Sequence, residues 1–540
     1  MVHSHQAALI LQFHRVAHGL VHLPDVVGLE DFSRPINLIF SIGAIYYVHI
    51  YNSAFASIVE RFRSREDDPR VGASNGQEKG HNRNDGQPCL LPAPPGPDFE
   101  TLARQVGAVR REPRKFDCRM LMESLVAVSQ SLCPSLAAVA VDLSLRFRNT
   151  VSRQAVAERL TDGFVTLIEK VVALALAQTQ RRMAGAAEGV FAAFGRVLVE
   201  DSTVIRLPPR LAGIYPGPRN QTGKPQAAMR LQTVLELKRD VVLEVRRSAY
   251  THNDQAASPE ILHLVQAGDL VLRDLGYFAT GVFRRLADRK AYFLSRLHTA
   301  AAVLDPRTGA KIDLPTLLRR AGTVDIDVLL GCTERFPVRL VACRVPPDVA
   351  AERRRQARTN PDTRARTSTT KLALLDWELF VTNVPRDLWS TRVVAQVYGF
   401  RWRIEMLFKA WKSFLHLNDV PPRASQREVI CFALARLMYA IDFQSNTWQV
   451  VRYTLLQRGR HASMLKTVSL FTGPSAALLR DVLRHDPGDL AEVLIRHCSY
   501  EKRRRVSYAD AFAYYNGLST PPPTLSAAEE HHARGQVLTP

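Results

Sequence analysis

One stretch of the chain, Tyr398–Leu417, places side chains able to do chemistry on a single side of a helix. It has no proline and no glycine after Gly399, so its sequence predicts one continuous helix. At 100° per residue, one carboxylate, three long cations and a tyrosine share an arc of about 80°. These residues are Tyr398, Arg401, Glu405, Lys409 and Lys412. A carboxylate among phosphate-binding groups is typical of a nuclease or strand transferase, and an ordinary solvated face with i,i+4 ion pairs is the alternative.

Two aspartates further up the chain lie on predicted strands. Arg196–Leu207 alternates with a period of two, which puts Asp201 on the more apolar face of a strand. Asp274 ends a second apolar strand, two residues before Gly276. A buried carboxylate is costly unless it is paired or binds metal, and ligands of open α/β sheets gather at strand ends. The structural alternatives are an ion pair or helix cap for Asp201 and a turn for Asp274.

The predicted elements around these residues alternate between strand and helix. After the Asp201 strand we predict a hairpin, a helix, the Asp274 strand, a helix, a strand, an insertion and a last strand before Tyr398. The hairpin strands are Leu231–Leu237 and Val241–Ser248, and the helix after them is Ser258–Gln266. After the Asp274 strand come the helix Gly281–Arg289 and the strand Ala291–Leu297, and the last strand is Leu372–Val384. The pattern indicates an α/β fold.

Residues 298–371 interrupt the alternation as a β-rich insertion. Val324–Gly331 and Pro337–Val345 are predicted strands, and a very basic segment follows. We predict an exposed, DNA-facing loop there, with a disordered basic loop as the alternative. Its candidate phosphate contacts are Arg353, Arg354, Arg355, Arg358, Arg364 and Arg366.

Residues 98–190 are predicted to be helical and to bind DNA. Leu136–Leu160 holds two apolar helical patterns around a polar turn, and Ser152 is positioned to cap the second helix. The arrangement is similar to a helix-turn-helix, although any helical hairpin would give the same pattern. Arg153, Gln154 and Arg159 lie on this second helix.

The remaining segments complete the predicted organisation. Residues 1–97 form a leader and linker of unknown role, in which His14, His18 and His22 lack an acidic or cysteine partner at matching spacing. The catalytic α/β domain takes 191–297 and 372–430, a helical C-terminal region takes 431–517, and 518–540 is a disordered tail.

The composition and net charge of the chain indicate which class of partner it binds. The chain has 540 residues, a formal charge of +20 and a pI near 9.9, which favours a polyanion: nucleic acid first, an anionic membrane surface second. Seven scattered cysteines without a C-x-x-C motif indicate a reducing compartment. No apolar run reaches the roughly 18 residues of a membrane span, and the N-terminus lacks signal-peptide features. We therefore expect a cytoplasmic, nucleoid-associated protein that does not bind membranes.

The three carboxylates and their neighbours carry a family resemblance. Tyr398, Arg401, Glu405 and Lys412 match at every spacing the Y-R-E-K signature of DDE transposases of bacterial insertion sequences. The D-S-T at Asp201 and the D-x-G-Y-F at Asp274 match the other two motifs of that family, in the same order. The resemblance covers roughly residues 100–500, and several motifs in order are more specific than one.

This resemblance implies a fold and a chemistry. It implies an RNase H-like catalytic domain in which Asp201, Asp274 and Glu405 hold two Mg²⁺ ions, with Mn²⁺ as a substitute. It also implies cut-and-paste transposition: binding of terminal inverted repeats, cleavage through a DNA hairpin, and strand transfer to target DNA by a homodimer. The alternatives are a catalytically inactive, domesticated DNA-binding protein and an RNase H-like nuclease without a transfer step.

The resemblance further implies contacts with double-stranded DNA. Tyr398, Arg401, Lys409 and Lys412 would hold the backbone of one strand. A flipped base would stack on a tryptophan, for which Trp377 is the candidate and a place in the core its alternative. Other candidates are Trp389 as the stacking residue and Arg296 as a phosphate contact.

Overall fold

The computed structural model describes residues 99–499 except 112–114, 132–133, 183–188, 219–222, 346, 360–367, 422–423, 474–475, 477–478 and 480–489. The predictions for the leader, its three histidines and the C-terminal tail lie outside the described residues. Two compact units divide the chain. The first includes residues up to 175, 415–458 and 467–497, and the second includes 176–414, 459–466 and Cys498 onward.

Both units contain α-helices. In chain order, the helices of the described residues are α1 (Phe99–Gln105), α2 (Cys118–Ser129), α3 (Leu136–Arg146), α4 (Arg153–Arg159), α5 (Asp162–Arg182), α6 (Asp254–Ala257), α7 (Thr280–Asp288), α8 (Leu314–Ala321), α9 (Pro347–Thr359), α10 (Thr369–Leu374), α11 (Thr391–Tyr398), α12 (Trp402–Ser413), α13 (Gln426–Ser445), α14 (Thr447–Gln457), α15 (Met464–Thr472) and α16 (Leu490–Cys498).

The first unit is helical, and side-chain caps fix where its helices begin. The Ser152 hydroxyl accepts a hydrogen bond from the Ala155 amide, as predicted for the start of α4. Helix α4 is only seven residues long, and its Arg159 lies over the Phe116 ring at 5.6 Å. Arg159 is therefore engaged in packing, while Arg153 and Gln154 are exposed.

The second unit is built on a mixed sheet of nine strands, which confirms the predicted mixed α/β class. The strands are β1 (Val197–Leu207), β2 (Ala227–Glu236), β3 (Val241–Ala249), β4 (Leu270–Arg273), β5 (Tyr292–Arg296), β6 (Val303–Leu304), β7 (Val324–Leu330), β8 (Phe336–Arg344) and β9 (Trp377–Thr382). Their order across the sheet is β3-β2-β1-β4-β5-β9-β8-β7-β6.

Neighbouring strands of this sheet are antiparallel, except that β1, β4 and β5 run parallel to one another. Strands β1, β2 and β3 form an antiparallel meander, and Asp240 closes the predicted hairpin with φ 57°, a conformation that short polar residues tolerate. Strands β4 and β5 run parallel to β1, whereas β9 is antiparallel to β5. The carboxyl ends of β1, β4 and β5 therefore point to the same edge.

The inserted segment extends the same sheet. Strands β6, β7 and β8 continue it through β9, so they share one sheet with the strands that carry the aspartates. The basic segment after β8 begins as helix α9, so the prediction of a loop there was wrong through Thr359. Arg353 pairs with Glu378 and Arg354 with Asp376, because carboxylates later in the chain reach back to this helix. Arg364 and Arg366 lie outside the described residues.

The Tyr398–Leu417 segment, for which one continuous helix was predicted, is divided in the structure. Helix α11 ends at Tyr398, a 3-10 turn covers Gly399–Arg401, and α12 runs only to Ser413. The 3-10 turn keeps a helical course but changes the angular spacing of the side chains, and a period of 3.6 does not reveal that change. The predicted helix over Ser258–Gln266 is likewise replaced by a 3-10 turn at Glu260–His263, which follows the short α6.

Candidate active site

Strand β1 presents Asp201 on the face of the sheet opposite to Glu200. Leu198, on the Glu200 side, packs in one apolar cluster with Phe283 of α7 and Phe293 of β5. The Asp201 side chain is 17% exposed, and its Oδ1 accepts a hydrogen bond from the Ser202 amide at 2.7 Å. Helix α12 packs across β1, which places the polar side of the helix near this carboxylate.

Asp274 is the first residue after β4, with an extended backbone, and a 3-10 turn follows it. Because β4 is parallel to β1 and adjacent to it, the carboxylates of Asp201 and Asp274 lie side by side at the carboxyl edge of the sheet. The Tyr398 hydroxyl donates to Asp274 Oδ1 at 3.3 Å. Asp274 thus lies beside a residue 124 positions later in the chain.

Arg401 lies at the centre of the three candidate carboxylates. Its Nη1 is 3.2 Å from Asp201 Oδ2, and its Nε is 3.6 Å from Asp274 Oδ1. Its Nη2 donates to Glu405, one turn further along in the first turn of α12. The guanidinium is 12% exposed, so it is a largely buried cation shared by three anions.

Burial and charge set the protonation of this centre. Burial raises the pKa of Asp201 to about 7, and repulsion from Asp274 and Glu405 adds to the rise, whereas Arg401 and the Ser202 amide oppose it. Burial works against the charged form of Arg401, but Tyr398 and the three carboxylates keep its pKa above the ordinary value. The cluster of carboxylates therefore strongly favours a positive charge in its centre.

Tyr398 is buried, and aromatic and cationic groups surround it. Its ring lies 5.2 Å from the Phe380 ring, and the Arg296 guanidinium lies over it at 5.5 Å. Burial and the neighbouring Asp274 raise the pKa of Tyr398, which keeps its hydroxyl a hydrogen-bond donor. Arg296 in turn donates to the buried Glu378 at 2.9 Å, which holds it beside the tyrosine.

The two lysines of the predicted face differ in their surroundings. Lys412 is half-buried; burial and the nearby charge of Arg206 lower its pKa, whereas Asp201 opposes that shift. Lys409 is exposed. Lys412 therefore lies close to the carboxylate cluster, while Lys409 lies on the open surface. Arg206 was not among the predicted residues, although it follows Asp201 on the same strand.

Three tryptophans near the site differ in how far their side chains are exposed to solvent. Trp377 begins β9 and is half-buried against the apolar cluster, with Arg344 at 5.9 Å from its ring centroid. Since β9 is antiparallel to β5, Trp377 lies beyond the carboxyl end of β5, at the edge where the aspartates lie. Its side chain packs on the face of the sheet that carries Leu198, opposite to Asp201. Trp389 is 1% exposed and donates to the Val190 carbonyl, so its ring is enclosed in the core. Trp402, directly after Arg401, is 42% exposed and was overlooked because it lay off the polar arc.

Sequence reasoning also missed a set of polar residues behind the carboxylates. Glu200 and Arg273 form a fully buried ion pair at 2.6 Å. Next to them, Ser202 donates to Asp254, which also accepts a hydrogen bond from Arg230. The signal that could have revealed the first pair is simple: residues of opposite charge immediately precede Asp201 and Asp274 in two adjacent strands.

The donor set suits a hard divalent cation. Asp201, Asp274 and Glu405 offer only carboxylate oxygens and already converge on one shared cation, the Arg401 guanidinium. In the part of the chain that the structure describes, no group of three or more His, Cys, Asp or Glu side chains has the geometry to hold a metal ion. The Arg401 guanidinium occupies the position between the three carboxylates, which a shared metal ion would have to take.

Comparison with known proteins shows which family the chain resembles. Residues 192–441, which include all three carboxylates, match the transposase DDE domain family. The transposase for insertion sequence element IS231B of Bacillus thuringiensis subsp. berliner is 26% identical over 425 residues, 74% of this chain and 87% of the relative. The chain is thus similar to bacterial insertion-sequence DDE transposases over most of its length. A match to the DDE domain family implies an enzyme that cleaves and transfers DNA strands.

Other relatives extend the comparison. The transposase for IS231C of the same subspecies is 24% identical over 454 residues, 78% of this chain and 94% of the relative. The transposase for IS1151 of Clostridium perfringens is 22% identical and covers 56% of this chain and 68% of the relative. A solved piggyBac transposase synaptic complex with hairpin DNA is 10% identical with a TM-score of 0.35, covering 80% of this chain and 84% of that chain. No helix among the residues described is long and apolar enough to cross a membrane.

Proposed function

We propose that this transposase moves its insertion sequence by a cut-and-paste reaction, and that Asp201, Asp274 and Glu405 are its catalytic residues. The observation that carries the proposal is the convergence of these three side chains, from two strands and a helix, on the single cation Arg401. Carboxylates that repel one another are costly to hold together without a function.

The three carboxylates would hold two Mg²⁺ ions, for which Mn²⁺ can substitute. Bound divalent ions supply an activated water or 3′-hydroxyl and stabilise the leaving oxygen of the phosphodiester. The chain's own part is to fix the carboxylates at the edge of a rigid sheet and to bring them next to the DNA. The order of β1 to β5, with an antiparallel meander followed by two parallel strands, supports an RNase H-like catalytic domain.

Arg401, Tyr398 and Lys412 would bind the DNA backbone beside the carboxylates. Once Arg401 leaves the carboxylates, its guanidinium can bind phosphate in the fork geometry that suits an anion. Lys412, whose charge interacts with Asp201, would bind a phosphate beside the carboxylates, whereas the exposed Lys409 would contact DNA further away. Trp377, at the same edge of the sheet, would stack a flipped base.

The larger reaction involves parts of the protein beyond this site. Helices of residues 98–190, with exposed Arg153 and Gln154, would bind the terminal inverted repeats. Cleavage would pass through a hairpin intermediate, and a homodimer would hold two transposon ends before joining them to target DNA. The net charge of +20 supports long contact with the DNA backbone, in a cytoplasmic, nucleoid-associated setting.

A cleavage and joining assay distinguishes this function from its alternatives. Full-length protein is incubated with DNA that carries the terminal repeats of its own element, with Mg²⁺ and a target plasmid. We expect nicked, hairpin and joined products. Binding without cleavage would point instead to an inactive, DNA-binding derivative. Cleavage without joining, even with pre-cut ends, would indicate a nuclease that lacks the transfer step.

A further inference from the structure

We infer that the buried Glu200–Arg273 ion pair is a positioning device that holds Asp201 and Asp274 at the spacing a metal site needs. The inference rests on the proposed function of these two aspartates. Each member of the pair directly precedes one of them: Glu200 in β1 and Arg273 in β4. The pair lies on the reverse face of the sheet, where neither side chain can touch DNA or metal.

The backbone pairing of β1 with β4 shows why a side-chain contact is needed to fix the distance between Asp201 and Asp274. The parallel pairing of β1 with β4 runs from Val197–Leu270 to Glu200–Arg273 and ends there. Asp274 is thus the first residue beyond the ladder, and no backbone pairing with β1 fixes its distance from Asp201. The last rung of the ladder is the one that carries the buried ion pair.

The contacts of Arg273 join β1, β4 and the turn that follows Asp274. Its Nη2 donates to Glu200 Oε2 at 2.6 Å and to the Ser258 carbonyl at 2.8 Å. Its guanidinium also lies 5.3 Å from the centroid of the Tyr277 ring, three residues after Asp274. Arg273 therefore restrains Asp274 from both sides along the chain.

The cost of this pair argues that it does more than stabilise the fold. Both side chains are 0% exposed, and Arg273 Nε and Nη1 have no hydrogen-bond partner among the described residues. A buried ion pair gains little stability over well-packed apolar groups, and unpaired buried N–H groups add a penalty. Such a costly pair lies directly behind two carboxylates that repel each other. Its presence is explained if it holds these two carboxylates in place.

A matched control pair lies just before the start of the same two strands. Arg196 and Asp269 pair at 2.6 Å immediately before β1 and β4. They lie four residues earlier in each case, about 13 Å along the strands. Both pairs join the same neighbouring segments, but only Glu200–Arg273 lies at the end with the carboxylates.

The test compares two double variants of the full-length protein, Glu200→Leu with Arg273→Met and Arg196→Met with Asp269→Leu. Mn²⁺ binding is measured by electron paramagnetic resonance well below the unfolding temperature, and unfolding is followed separately without metal. We expect the first variant to bind Mn²⁺ about 10- to 100-fold more weakly, with an unfolding midpoint within about 4 °C of the wild-type value. The control should keep its Mn²⁺ affinity, whatever its stability.

Arg273→Lys keeps the inference testable if the apolar variant does not fold. The lysine retains the charge and one donor toward Glu200 but not the further bond to the Ser258 carbonyl, so Arg273→Lys should fold and bind Mn²⁺ more weakly than wild type. Wild-type affinity in the apolar variant, or in Arg273→Lys where the apolar variant does not fold, would overturn the positioning role alone. If Asp201→Asn bound Mn²⁺ as tightly as the wild type does, the proposed function would be overturned, and this inference with it.

Discussion

Arg401 Nη1 lies 3.2 Å from Asp201 Oδ2, although the two residues are 200 positions apart in the chain. The same guanidinium also interacts with Asp274 and Glu405. In this arrangement Arg401 neutralises part of the charge of a cluster that would otherwise repel itself. A cation that enters the cluster must compete with this arginine.

Replacement of Arg401 by Gln should therefore destabilise the DNA-free, metal-free protein. We expect a loss of about 1–2 kcal/mol, since the carboxylates that lose their cation are partly exposed and partly screened. Added Mg²⁺ should raise the unfolding midpoint more in Arg401→Gln than in wild type, because the metal no longer competes with the guanidinium. Thermal unfolding with and without Mg²⁺ measures both effects. Lys409→Gln, an exposed cation on the same helix, is the control and should change neither.

Tyr398→Phe isolates the hydroxyl that donates to Asp274. The ring should stay against Phe380, so stability should change by no more than about 1 kcal/mol. Cleavage of end DNA should slow by about 10- to 100-fold, because Asp274 loses a group that orients it. Tyr215→Phe, which removes a different hydroxyl next to Arg247, is the matched control. Equal cleavage rates for Tyr398→Phe and wild type would show that the contact is incidental.

Lys412→Gln should weaken binding of end DNA and lower the salt dependence of that binding by about one ion. Its half-buried position near Asp201 would place its phosphate contact on the reacting strand. Lys409→Gln should lower the salt dependence by a similar amount with a smaller effect on cleavage. Titrations at several salt concentrations, combined with single-turnover cleavage, separate the two lysines. The roles would need to be exchanged if Lys409→Gln were the more damaging to cleavage.

The three tryptophans should respond differently to replacement by alanine. Trp377→Ala should remove a stacking contact of about 1–3 kcal/mol and reduce the fluorescence change of a 2-aminopurine placed at the flipped position. Trp389→Ala should instead lower stability by about 3–5 kcal/mol, since its ring is enclosed in the core. Trp402→Ala is the direct comparison, because this exposed ring adjoins Arg401. A full 2-aminopurine signal in Trp377→Ala that is lost in Trp402→Ala would reassign the stacking role.

The local sequence was enough to predict most strands, the position of Asp201 within β1 and that of Asp274 at the end of β4. The alternation around Asp201, the short apolar run before Asp274 and the turn at Asp240 each encode structure over a few residues. Those signals were sufficient because strand period and turn chemistry are local properties.

What the sequence could not predict depended on distant partners. Arg353 and Arg354 have the pattern of free loop cations, but they pair with Glu378 and Asp376, 25 and 22 residues later. The Glu200–Arg273 pair joins residues 73 positions apart and requires the strand register to be known. The 3-10 turn before α12 was hidden because its residues also fit an α-helical pattern.

Glu405→Gln provides the most direct test of the catalytic role of the three carboxylates. The variant keeps the size and a hydrogen-bond acceptor at this position but removes the charge that a divalent cation needs. Cleavage of DNA carrying the terminal repeats is measured with Mg²⁺, alongside binding of the same DNA. We predict wild-type binding with no detectable nicking, hairpin formation or joining. Full cleavage by Glu405→Gln in the presence of Mg²⁺ would contradict the assignment of Asp201, Asp274 and Glu405 as one catalytic centre.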